Sequence, residues 1–189
     1  MFKKILFLAL TLFALSSTAL AQVASTTTAT NTYHNDKYGF SVTLPAEFVD
    51  YQLDAPNWLK AFTNQKVYIQ IGYIDPHDNY TAATFDKVPQ VELEGFIKRQ
   101  RLVSALSNSQ FILETWGQHK TTHNFPYVWA MFSAQTQLKD LELKTFNLKN
   151  YFLQQDKIIQ IDCVIPEMYL HESTKIVDAI VQSFAYDQV

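Results

Sequence analysis

The chain has 189 residues, 48% of them hydrophobic, with 15 Lys and Arg against 18 Asp and Glu for a formal charge of −3. That modest acidity excludes the basic footprint by which nucleic-acid binders engage phosphates, and a single cysteine, Cys163, excludes an internal disulfide. The length fits one domain able to bury a substantial core.

Met1-Phe2-Lys3-Lys4 is a short basic region ahead of the apolar run Ile5 to Leu15, and Ala19-Leu20-Ala21 has the small-x-small pattern of a cleavage site. Together they predict a signal peptide over 1–21, export by the general secretory route and a periplasmic or secreted product. The run is well short of the roughly twenty residues that a membrane-spanning helix needs, so no transmembrane anchor is expected. Residues 22–32, rich in Ser and Thr and without periodicity, predict a flexible leader, which leaves 33–187 as a single domain.

Asn35-Asp36 is turn chemistry, and Gly39 marks a bulge or a close backbone approach. Phe40, Val42 and Leu44 alternate with Ser41 and Thr43, a half-buried strand that Pro45 should stop. The alternation resumes through Val49, Tyr51 and Leu53. Trp58, after Pro56, falls in a loop-like setting where an exposed indole would mark a partner or ligand contact. Val67, Ile69, Ile71 and Tyr73 form the next alternating set, and Asp75 to Asn79 reads as a loop.

From Pro89 to about Leu106 the period becomes helical, with Leu93, Phe96, Ile97 and Val103 on one side. Glu92 and Glu94 come early, and Lys98, Arg99 and Arg101 late, which suits the helix dipole; Gly95 weakens the helix. Four strands are then predicted over 111–119, 125–136, 141–153 and 157–165, and their short links favour antiparallel pairing. The second carries apolar bulk at both alternating sets and should be covered on both faces. In the third, the inward set changes from Leu141 and Leu143 to Phe146, Leu148 and Phe152, which predicts a bulge near Lys144 or Thr145. Pro166 closes the fourth. A terminal helix follows, its stripe of Leu170, Val177, Ile180, Val181 and Phe184 opposite His171, Lys175, Asp178 and Gln182.

Tyr38-Gly39-Phe40-Ser41-Val42 with Leu44-Pro45 at the entrance, and Ile180-Val181-Gln182-Ser183-Phe184 at the exit, resemble the PsbP-like superfamily over residues 33 to 187. The resemblance implies an α+β fold, an antiparallel sheet with helices on both faces. It also implies an accessory role, since members serve as extrinsic photosystem subunits, as a Ran-binding protein or as periplasmic proteins without assigned chemistry. It places no catalytic residue on this chain, and a fold does not select a function.

The chemistry-bearing residues add little to that. Four glycines leave no phosphate-binding loop and no nucleophile elbow. His119 and His123 have the H-x3-H spacing of a zinc helix, but they flank a predicted turn and lack the third ligand that zinc requires, so an exposed polar turn is favoured. His34 and Asp36, and Asp75, His77 and Asp78, fall in turn-like segments. Cys163 shares a strand face with Ile159, Ile161 and Ile165 and reads as a buried hydrophobe. Asp162, on the opposite face beside Gln160, reads as a solvated or hydrogen-bonded sheet position. Asn79-Tyr80-Thr81 matches a glycosylation sequon. No catalytic, cofactor or metal residue is assigned. The expectation is a non-catalytic exported domain that binds an envelope protein, with a carrier of a small apolar ligand as the alternative and a hydrolytic enzyme behind both.

Overall fold

The computed structural model describes residues 29–52, 56–75, 82–105, 111–138, 141–154 and 157–187. The signal-like segment, the sequon, His77, Asp78 and Leu53 lie outside them. Ten strands and two α-helices make up the described chain: β1 (Thr30–Asn35), β2 (Phe40–Pro45), β3 (Val49–Asp50), β4 (Trp58–Thr63), β5 (Tyr68–Ile74), α1 (Gln90–Ala105), β6 (Phe111–Lys120), β7 (Pro126–Leu138), β8 (Leu141–Gln154), β9 (Lys157–Pro166), α2 (Leu170–Gln182) and β10 (Ala185–Tyr186).

Seven strands build one sheet in the order β3-β4-β5-β9-β8-β7-β6, every neighbouring pair antiparallel. Its β6 to β9 half is the predicted meander, since tight links let each strand fold back on the last. A three-stranded antiparallel sheet, β1-β2-β10, joins the two ends of the chain. β1 opens at Thr30, so the last three residues of the expected leader are already paired with β2. The turn from β1 to β2 closes at Gly39, whose φ of 60° suits a residue without Cβ.

Side chains of the large sheet alternate between two apolar clusters. Val67, Ile69, Ile71, Phe152, Ile159, Ile161, Cys163 and Ile165 pack with Val177, Ile180 and Val181 of α2 and with Phe40, Val42 and Leu44 of β2. Val128, Ala130, Phe132, Tyr151, Leu153 and Ile158 pack instead with Leu93, Phe96 and Ile97 of α1. Val177 and Ile180 are buried, and each such side chain contributes about 1.5–3 kcal/mol through removal of apolar surface from water.

The two short motifs at the chain ends lie against one another. The Ser183 hydroxyl accepts from the Thr43 amide at 2.9 Å and lies 2.6 Å from the Ile180 carbonyl, so it both caps α2 and ties it to β2. Phe184 stacks on Phe152 with ring centroids 3.8 Å apart and on Phe40 at 5.5 Å. Entrance and exit are therefore one structural unit, although some 140 residues separate them in sequence.

Two expectations fail. β8 pairs with β7 in unbroken register through Lys144 and Thr145, and with β9 in unbroken register from Thr145 on, so the predicted bulge is absent. The change of phase arises because the strand outruns the cover on one face: Leu143 and Tyr151 share that face, yet Leu143 is exposed while Tyr151 is buried. The register shifts lie elsewhere, at Trp58/Lys60 in β4 and Leu113/Thr115 in β6. Trp58 is also not in a loop. It opens β4, half-buried, with its ring so close to Gly72 that a Cβ there would lie 2.7 Å from the indole.

Candidate binding surface

On the face of the sheet carrying α1, the antiparallel register sets polar side chains in rows. Gln70, Asp162 and Lys149 form one row across β5, β9 and β8; Gly72, Gln160 and Tyr151 form the next. Asp162 and Gln160 are both buried, so of the expected solvated or hydrogen-bonded sheet position the solvated alternative falls. Lys149 Nζ lies 3.2 Å from Asp162 Oδ2 and 5.9 Å from the centre of the Phe111 ring. Such a pair holds two charges away from water, and its attraction must offset a desolvation cost of several kcal/mol per ion.

Two atoms in this cluster are buried without a hydrogen-bond partner among the described residues, Asp162 Oδ1 and Tyr151 Oη. Burial first, and the Asp162 charge second, hold the Tyr151 phenol well above its ordinary value, so it stays a neutral donor. The same two causes in the same order raise the Cys163 thiol, which is fully buried on the other face. A thiol held protonated there is no nucleophile.

Beside the buried row the same face is open. Val49, Thr63, Tyr68 and Val164 are register partners in sequence across β3, β4, β5 and β9. Val49 is 60% exposed, Tyr51 45% and Tyr68 37%, and the Tyr51 and Tyr68 rings meet edge to face at 5.8 Å. The strip is apolar, ordered by that ring contact, and placed at the β3 end of the sheet. The ion pairs Lys60 with Asp50 and Lys66 with Glu172 lie on the opposite face, that of α2.

The residues singled out in the sequence do not converge. His119 lies near the end of β6, exposed and edge-on to Tyr127 at 5.9 Å, and His123 is exposed in the following turn. Among the described residues no three His, Cys, Asp or Glu are grouped as a metal would need. His34 lies on β1 rather than in a loop, between Asp36 and Asp187. A half-open cleft of about 250 Å³ is lined by Glu47, Asn64, Lys66, Glu172, Ser173 and Ile176.

Lys149 and Tyr151 escaped the sequence reading because β8 was weighed by its apolar residues alone. The signal was present: Lys149 and Asp162, opposite in sign, sit on consecutive strands at positions that a tight hairpin brings opposite each other.

No family model matches the chain, and no curated protein matches its sequence. Solved structures do. Cyanobacterial PsbP from Synechocystis superposes with a TM-score of 0.63 at 14% identity, over 89% of this chain and 99% of that one. The Ran-binding protein Mog1p of Saccharomyces cerevisiae gives 0.49 at 9% identity, over 84% and 96%. A Pseudomonas aeruginosa protein of unknown function gives 0.47 at 10% identity, over 85% and 99%. On the strength of the cyanobacterial match, which spans nearly the whole of both chains, this chain has the α+β fold of PsbP.

Proposed function

We propose that the chain is a non-catalytic accessory domain that binds another protein through the strip formed by Val49, Tyr51 and Tyr68. The observation that carries this reading is a pair of aromatic rings, Tyr51 and Tyr68, left in water in edge-to-face contact beside exposed Val49 at the β3 end of the sheet. Burying Tyr rings supplies large contact area at small entropic cost, and exposed apolar patches mark interaction sites. The accessory role implied by the PsbP-like resemblance agrees with it. In this reading α1 and α2 are the two covering layers of the sheet, and the strip is the part of the α1 face left for a partner.

Export belongs to the same proposal. Lys3-Lys4, the apolar run to Leu15 and Ala19-Leu20-Ala21 support removal of residues 1–21 and work in the cell envelope or outside the cell. The alternative of an apolar-ligand carrier draws no support from the cleft beside Lys66, which is half-open and has Ile176 as its one apolar residue.

Replacing Tyr51 and Tyr68 together by Lys tests the reading. The variant should keep the circular dichroism and cooperative melting of the native protein and lose co-purification of its envelope partner. Retention of that partner by the folded variant would refute the assignment of the strip.

A further inference from the structure

We propose that His34 is a pH-sensitive latch that pins the C-terminal strand to the N-terminal hairpin, closed by the imidazolium and loosened by the neutral ring. Both ring nitrogens face carboxylates at hydrogen-bond distance. Nδ1 lies 2.9 Å from Asp36 Oδ1, and Nε2 lies 3.0 and 3.1 Å from the two oxygens of Asp187. Only the doubly protonated ring donates to both; the neutral ring keeps a lone pair on one nitrogen, which must then face an anionic oxygen. The contact is built for the cation.

Asp36 belongs to the turn after β1, next door in sequence, whereas Asp187 follows β10 and is 153 residues away. The Asp187 contact therefore spans the two ends of the chain. His34, Ser41 and Ala185 are cross-strand neighbours, and the Asp187 amide donates to the Gly39 carbonyl at 2.8 Å. Beneath the latch, Tyr186 donates to the Phe152 carbonyl at 3.1 Å and Phe184 is stacked in the core. Opening the latch thus frees the tail of β10 first, while the aromatic plug still holds.

Among the described residues, the charged groups facing His34 are Asp36 and Asp187 alone; Lys37, in the same turn, is placed over the Tyr38 ring. The Asp187 hydrogen bond, opposed by some loss of hydration and reinforced by both carboxylate charges, holds the imidazole above its ordinary 6.5. A group raised on folding stabilises fully below its unfolded value and ceases to do so as pH rises through the folded one. The latch is shut in mild acid and opens toward alkaline pH.

The test is an NMR titration of His34 in the purified protein with amide exchange read at each pH. The expected results are a midpoint above 6.5 that moves down toward 6.5 in Asp187→Asn, and protection factors at Ala185 to Asp187 that fall as pH crosses the midpoint. Protection at Ile159 to Cys163 should hold, and in His34→Gln the response of the C-terminal amides should be flat. A wild-type midpoint at or below 6.5, or C-terminal protection that ignores the midpoint, would overturn the proposal.

Discussion

Lys149 and Asp162 show how much a single side chain can commit in this molecule. Asp162 is buried and the Lys149 side chain only slightly exposed, so removing the lysine strands the carboxylate charge away from water. Lys149→Met should therefore cost about 3–5 kcal/mol, read as the loss in urea unfolding free energy. Replacing both residues at once, Lys149→Met with Asp162→Leu, should return most of that stability because no charge is left behind. If the single substitution proves as mild as the double, the pair is not desolvated as described. Sequence could place Cys163, since Ile159, Ile161 and Ile165 share its parity and its burial follows from theirs. It could not place Asp162 in the interior, because burial of a carboxylate depends on a cation supplied by another strand. His34 was illegible for the same reason: Asp36 is adjacent, but Asp187 arrives only through the fold.

Among the elements, α1 and α2 are stabilised differently. α2 has a clean apolar stripe and was readable from its period, whereas α1 is only weakly amphipathic and carries Gly95 in mid-helix. A methyl at Gly95 would meet Arg99 Nη1 at 3.5 Å, ordinary contact distance. Gly95→Ala should therefore raise stability by roughly 0.5–1 kcal/mol through helix propensity. Ile180→Ala, by contrast, should lower it by about 2–5 kcal/mol, because it opens a cavity at the centre of the α2 packing. Thermal melts of the two variants shifting in the same direction would contradict this contrast. The meander β6 to β9 was legible because tight links and alternation are local signals. The pairing of β5 with β9, β4 as a strand, and β1 and β10 as its small-sheet counterparts were not. The pairings of β5 with β9 and of β10 with β2 depend on contacts remote in sequence; β1 and β4 pair with the next strand, but Ser/Thr-rich composition hides β1 and Pro56 and Asn57 mask β4 and Trp58 with it.

At the scale of the whole molecule, two apolar clusters close the core of a domain with the fold of PsbP, and the proposed partner site is the exposed strip at β3 and β5. Its exposure was invisible in the sequence, where Val49, Tyr51 and Tyr68 look like any alternating strand residues; only the end of the α1 cover leaves them in water. The most direct test is photo-cross-linking in the native host from a benzophenone amino acid at Tyr68, with the same probe at exposed Lys98 on α1 as the control. The account predicts one discrete cross-linked protein from position 68, absent from position 98 and abolished by Tyr51→Lys. Equal labelling from both positions, or none from position 68 in folded, correctly localised protein, would contradict it.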